Sequence, residues 1–458
     1  MTTHVVLIRT LPPPLREPVM LDQLFEERYL PEPLVQMARV SRHRRPRVVI
    51  TGLSALSPNG STVQEFWQNT LNGISGISQI TRWDSSRYPS RVAGQIKNFE
   101  PRDFMDFKEA RRIARCSQFA IACAKMAAQD ARLQLPVEDR ERVGVLIGTA
   151  VGGVDATEES LHVMIEKGWN RISPFAIGAA MPNAPAFHVS MTTGAHGYLG
   201  TITAACSSGT QTIGEGAELI RRGWADVMFV GGTEAGVVPV GIAAFAQMRA
   251  ISTHYNDAPE TASRPFDTTR DGFVMGEGAS ILVLESLEHA IARDAPIYAE
   301  VLGSSVASDA FDVVAPDPSG DGEVRVMRLA LADAGVSVDE IDYISAHATS
   351  TIVGDNIEAK AIKKLFGERA FQIPISAHKS MIGHTLGAGG ALEAVVCTLT
   401  LRDQKIHPTI NLKVPDAECV ELDLVPNTAR DAGVETILSN SFGLGGQNAC
   451  LVLRKFDD

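Results

Sequence analysis

No apolar run in this 458-residue chain approaches the roughly 18 residues of a membrane helix. Its first apolar stretch, Val5–Ile8, is broken by Arg9 and Pro12–Pro14 and makes no secretory leader. Positive charge is not in excess. The formal net charge of -12 argues against nucleic-acid binding and against adsorption to a membrane surface. The six cysteines (Cys116, Cys123, Cys206, Cys397, Cys419 and Cys450) include no CxxC pair and are too few for a disulfide framework, so the expected setting is reducing and cytoplasmic. There is no Walker loop and no GxSxG elbow, which weakens nucleotide-binding and hydrolase readings. Gly443, Gly445 and Gly446 precede a final strand and no helix, so they are not a dinucleotide loop. Paired Cys/His ligands from short loops are missing too, and no metal is expected.

What is present is an apolar fraction of 45% and 39 glycines, as in compact α/β proteins with many tight turns. Residues 1–46 read as an N-terminal extension rich in proline and charge, and Arg47–Gly52 as the first strand of the globular body. A faint internal duplication follows. Arg47–Pro58 resembles Ile297–Asp309, and each half closes on a strand with paired glycines, Gly231-Gly232 and Gly445-Gly446. The expected division is 47–295 and 296–458. Strands alternating with helices imply mixed, mainly parallel sheets, with functional residues at the carboxyl ends of strands.

Cys206 stands between an apolar run, Leu199–Thr203, and a helical run, Thr210–Ile220, with small residues on one face. A cysteine at such an elbow faces the positive end of the helix dipole, which favours thiolate. The same pattern also suits a small buried thiol. Two histidines emerge in a similar way. His347 ends the strand Ile341–Ala346, and His384 closes a loop after the strand Ile373–Ala377. Each alone reads first as a hydrogen-bonded loop residue.

Thr203–Gly209, HATST at His347–Thr351 and KSMIGHTLGAGG at Lys379–Gly390 resemble the three signature blocks of the β-ketoacyl-acyl-carrier-protein synthases. Pro265–Gly278 and the terminal NSFGLGG at Asn440–Gly446 extend the resemblance over about residues 47–456. His384 occupies the position where the initiating branch has Asn, so the likeness is to the elongating, Cys-His-His branch. The resemblance implies a thiolase-like fold of two pseudo-duplicated α/β halves in α-β-α-β-α layers. It implies decarboxylative condensation of an acyl chain on Cys206 with malonyl-acyl-carrier protein, with His347, His384 and Lys379 catalytic. The N–H groups of Cys206 and Leu444 would form an oxyanion hole. Glu393, Asp355 and Glu358 would belong to the polar network around Lys379. Thr349, Thr351, Phe442, Leu444, Cys116 and Ser117 would contact substrate, and Arg249 would dock the carrier. No resident cofactor is implied, since phosphopantetheine arrives on the carrier protein. The partners implied are acyl and malonyl thioesters, the acyl-carrier protein and a second copy of the chain.

The pattern departs from the family at Leu444, where relatives usually carry a gating Phe, and at Asp312 and Val314, where many carry His and Thr. Cys116 and Ser117 are small for an acyl-pocket lining. These departures keep a second reading open: the ketosynthase half of a polyketide or polyene heterodimer with a chain-length factor. A scaffold without turnover is opposed by the full set of Cys206, His347, His384 and Lys379. Thiolase is opposed by the spacing of Cys450 from the glycines.

Overall fold

The computed structural model describes residues 45–457. The extension read at residues 1–46 lies, but for its last two residues, outside them. Ten strands form the main sheet: β1 (Val48–Gly52), β2 (Val143–Gly148), β3 (Leu199–Ile202), β4 (Val227–Glu234), β5 (Gly278–Ser286), β6 (Ala299–Ser308), β7 (Tyr343–Ser345), β8 (Ile375–Ser376), β9 (Thr436–Gly443) and β10 (Gln447–Lys455). Their order is β8-β7-β9-β10-β6-β1-β5-β4-β2-β3. β1 and β6 pair at the centre, antiparallel, through Val49↔Glu300 and Ile50↔Ala299. Outward from that seam, each series runs first, fifth, fourth, second and third strand. The directions repeat as well. β1–β5–β4 and β6–β10–β9 are antiparallel, whereas β4–β2–β3 and β9–β7–β8 are parallel. The faint sequence repeat thus coincides with a strand-for-strand structural repeat.

The layers follow from which faces are apolar. α1 (Arg115–Asp130) and α2 (Ala184–Thr193) cover the first series. α4 (Asp321–Ala334) lies on the second, with α5 (Ile352–Phe366) packed against α4. α3 (Ser208–Arg221) and α6 (Gly389–Asp403) pack on each other and on strands of both series. α6 has no wet face in that middle layer: every residue from Gly389 to Leu401 is buried, so it shows no polar stripe. β1, β2 and β4 are buried along their whole length, so they read as continuous apolar or small-residue runs with no alternation.

The two middle helices touch backbone to backbone. A Cβ on Gly209 would lie 2.8 Å from Ala391 N, and one on Gly390 would lie 2.8 Å from Thr210 N. Glycine at these positions lets the positive ends of both helices meet. Around them gather the segments after β3, β7 and β8, together with the β9–β10 hairpin. Among the described residues no helix is long and apolar enough to cross a membrane.

Candidate active site

Cys206 lies in a single 3-10 turn, Ala205–Ser207, directly before α3. Its preceding residue, Ala205, has φ 47°, a left-handed conformation that costs a non-glycine residue energy and persists only where the surroundings impose it. Ser208 imposes it here. Its Oγ accepts from Ala204 N at 2.9 Å and donates to Ala205 O at 2.7 Å.

His347 follows β7, on a loop where Ala348 and Ser350 also have positive φ. Buried Glu358 holds that loop. One carboxylate oxygen accepts from His347 N at 2.9 Å and Asn440 Nδ2 at 3.1 Å, and the other accepts from Ala348 N at 2.7 Å. His384 is fixed by its backbone. Its N–H donates to Val274 O at 2.7 Å, and its carbonyl accepts from Gly276 N at 2.8 Å. Its ring meets Phe273 edge to face at 5.5 Å.

The Sγ of Cys206 and ring nitrogens of His347 and His384 lie within 4.8 Å of one another. The two imidazoles are perpendicular, at 88° and 5.4 Å between centroids. Nδ1 of His347 and both ring nitrogens of His384 are buried without a hydrogen-bond partner. Unsatisfied groups of this kind are rare, and clustered at a cavity they are free for an incoming ligand. Beneath them Lys379 Nζ pairs with Glu393, both buried. Burial pushes both histidines well below their ordinary pKa, and the Lys379 cation adds to the effect, so both are neutral near pH 7. Burial raises Glu393 to about 7 against the opposing pull of Lys379.

This arrangement coincides with a match of residues 45–290 to the Beta-ketoacyl synthase, N-terminal domain, and of residues 298–413 to the Beta-ketoacyl synthase, C-terminal domain. The chain belongs to the β-ketoacyl synthase family. It is 47% identical over 411 residues to 3-oxoacyl-[acyl-carrier-protein] synthase 2 of Staphylococcus aureus (strain COL), covering 90% of this chain and 99% of the relative. The protein of the same name from Coxiella burnetii is 45% identical over 412 residues, covering 90% and 99%. Among solved structures, the ishigamide ketosynthase/chain length factor superposes with a TM-score of 0.85 at 36% identity, covering 90% of this chain and all of that one. A type II ketosynthase in complex with its acyl-carrier protein superposes with a TM-score of 0.83 at 36% identity, with the same coverage. The chain is a decarboxylating condensing enzyme of the acyltransferase class, of the elongating, synthase-2-like branch, with a thiolase-like fold.

In this β-ketoacyl synthase two cavities, of about 400 and about 780 Å³, meet at Cys206 and Leu444. The smaller is bordered by His347, His384, Thr349, Thr351 and Phe442. The hydroxyls of Thr349 and Thr351 are 3.1 Å apart, and Thr351 also caps α5 through Gly354 N. Leu444 sits in the β9–β10 turn, whose Gly445 and Gly446 take φ of 77° and 69°. Exposed Arg249 stands at the mouth with no carboxylate partner among the described residues. Asp312 closes its own turn by accepting from Val314 N at 2.8 Å and Ala315 N at 2.9 Å.

Two expectations are corrected. The resting thiol of Cys206 is not biased toward thiolate. Burial pushes its pKa up, and Leu444 N–H and the Lys379 cation offset this only in part. Asp355 does not join the network around Lys379. It accepts from Phe266 N at 2.9 Å and Ser350 N at 3.1 Å and pairs with Arg270 at 3.5 Å, bracing the His347 loop from its far side. Cys116 and Ser117 are fully buried in the first turn of α1, and neither borders the two cavities at Cys206. Thr233 Oγ1 donates to Cys116 O at 2.7 Å and draws that turn into the core.

The Cys-His-His donor set would also suit a three-coordinate metal. The buried Lys379 cation, whose field reaches all three groups, opposes a dication there. Two acids were missed from sequence. Glu234, fully buried at the end of β4, accepts from Ala150 N at 2.6 Å, Thr149 Oγ1 at 2.9 Å and Gly387 N at 3.0 Å, tying the two halves beside Cys206. Burial raises it to about 7. A glutamate closing the apolar run Val227–Glu234 was the signal. Glu323, the second, borders the smaller cavity. It falls on the stripe Val326, Met327, Ala330 and Ala334 of α4, where a charge is out of place.

Proposed function

We propose that this chain carries out the decarboxylative condensation of an acyl chain with malonyl-acyl-carrier protein, giving a 3-oxoacyl-carrier product two carbons longer. The observation that carries the proposal is the approach of the Cys206 thiol to two neutral, hydrogen-bond-free imidazoles at one cavity. Cys206 Sγ attacks the acyl thioester, and a neutral imidazole takes the thiol proton. The tetrahedral oxyanion accepts from the N–H groups of Cys206 and Leu444, and the carrier thiol leaves with the proton. The malonyl thioester then enters with its carbonyl oxygen between His347 and His384. As CO2 departs, its bonding electrons form the enolate, whose charge the two imidazole N–H groups stabilise. The enolate carbon attacks the acyl carbonyl, and Cys206 leaves as thiolate and is reprotonated. Burial, and then Lys379 held by Glu393, keep both histidines neutral. Thr349, Thr351 and Phe442 bear on the arm and chain, and Arg249 meets the acidic carrier. The halves divide near residue 295, and cytoplasmic location accords with six unpaired cysteines.

A homodimer is part of this reading. Among the described residues β3 has a neighbour on one side only, and its Leu199 is 51% exposed. Beside it in sequence lie Ile165, Trp169, Ile177 and Met191, each 74–80% exposed. An unpaired edge with that much exposed apolar surface invites a second copy. The ketosynthase half of a heterodimer with a chain-length factor is the second reading, favoured by Leu444 in place of the gating Phe.

The test is incubation with acyl-carrier thioesters and malonyl-carrier, followed by intact mass spectrometry, with Cys206→Ala alongside. The expected result is acylation of the wild type only, followed by extension by two carbons. Acylation without extension favours the heterodimer. No acylation with any donor refutes the condensing reading.

A further inference from the structure

Besides the two imidazoles, an acid at the cavity has an oxygen without a partner. Glu323, in the first turn of α4, is 3% exposed, borders the cavity that opens on Cys206, and has Oε2 buried without a hydrogen bond. The neighbouring acids are satisfied. Glu358 has three donors, and Asp309 accepts from Asn448 Nδ2 at 2.6 Å. The helix start is closely packed beside Glu323. A Cβ on Gly322 would fall 1.8 Å from Asp309 Oδ1, so α4 already abuts that loop. Burial, with the charges of Glu358, Asp309, Asp317 and Asp355, holds the Glu323 carboxyl well above the usual carboxylate range. A carboxyl so placed is driven toward its neutral form, which has an O–H to donate.

We propose that Glu323 is a specificity-determining residue whose buried carboxyl group donates a hydrogen bond to a carbonyl oxygen of the bound thioester substrate. The inference rests on the condensing reading above. A saturated chain offers that acid nothing and leaves it unpaired against hydrocarbon, and polar groups left unpaired in this way discriminate far more sharply than missing methylenes. Two substrate carbonyls have the required chemistry: an oxo group on the acyl chain, and an amide of the phosphopantetheine arm.

The test is the rate of Cys206 acylation, followed by intact mass, with four donors: hexanoyl and 3-oxohexanoyl groups, each on carrier protein and as the S-ethyl thioester, which has no amide. The variants are Glu323→Leu, Glu323→Ala and Glu323→Gln, with melting curves to establish folding. Loss of one hydrogen bond to a buried partner predicts that the Leu and Ala variants lose about tenfold for donors bearing the recognised carbonyl, relative to S-ethyl hexanoyl thioester. Glu323→Gln, which keeps a donor, recovers most of that selectivity. A loss that follows the 3-oxo group assigns the chain carbonyl, and a loss that follows the carrier arm assigns the amide. Equal losses for all four donors, or none, overturn the proposal while leaving the condensing reading intact. A wild type that no donor acylates overturns both.

Discussion

Glu358→Gln is expected to cripple condensation while sparing acylation of Cys206. The carboxylate accepts on both oxygens, from His347 N and Asn440 Nδ2 on one and from Ala348 N on the other. An amide has one oxygen. In its best orientation it keeps His347 N and turns its NH2 toward Ala348 N–H, donor against donor. That forfeits one charge-assisted bond, about 1.5–3 kcal/mol, and strands a buried N–H at about 1–3 kcal/mol. Part of this is offset, because burial already raises the Glu358 pKa and a neutral side chain relieves that desolvation. A net loss of about 2–3 kcal/mol follows, visible as a lowered denaturation midpoint. The loop it relaxes carries His347, and a displacement near 1 Å costs about 10²-fold in rate. Single-turnover acylation and steady-state condensation, measured on one preparation, separate the two steps. Condensation within twofold of wild type, with an unmoved midpoint, would refute the reasoning.

Because burial and Lys379 depress the imidazoles of His347 and His384, condensation should hold its plateau as pH falls through 6.5 and decline only below it. A pH-rate midpoint at the ordinary histidine value would count against neutral donors. Lys379→Met removes the second depressing cause, so the acid limb should move to higher pH while staying below the ordinary value, since burial remains the larger cause. Trp169→Glu places a charge in the exposed apolar face, and sedimentation should show a dimer shifting toward monomer; an unchanged mass would place any self-association elsewhere. Arg249→Glu should raise KM several-fold for carrier-bound donors and leave small thioester mimics unaffected, and equal effects on both would remove it from carrier docking.

The alternation of strands and helices, and the repeat at Arg47 and Ile297, are visible in the chain because local patterning survives packing. The joining of the halves is not visible. The β1–β6 seam is made by two residue pairs, Val49↔Glu300 and Ile50↔Ala299, some 250 residues apart, and nothing in either segment names the other. β1 is buried throughout, and β6 alternates buried with part-exposed residues, a pattern that suits many partners. Nor does periodicity disclose that α3 and α6 share a middle layer. α6 is buried all round, so its pattern has no phase, and only Gly209 and Gly390 hint that two backbones meet there.

At the site, residue types were legible and fields were not. Cys206, His347, His384, Lys379 and Glu393 come together as the signature blocks imply, because each block is a contiguous loop at a strand end and keeps its residues in register. The state of Cys206 depends on sums that no block contains. A helix start argues for thiolate, whereas burial by the surrounding loops argues more strongly for thiol. Asp355 shows the same limit in geometry. From sequence it stands three residues before Glu358 and shares its prospects, yet Arg270, far away in the chain, takes it to the other side of the loop. Glu323 is the converse case, since its misfit was local and readable. A glutamate on an apolar stripe is either an error in assigning the stripe or a group placed to meet something, and the buried, unpartnered oxygen in the first turn of α4 is what motivates the second reading.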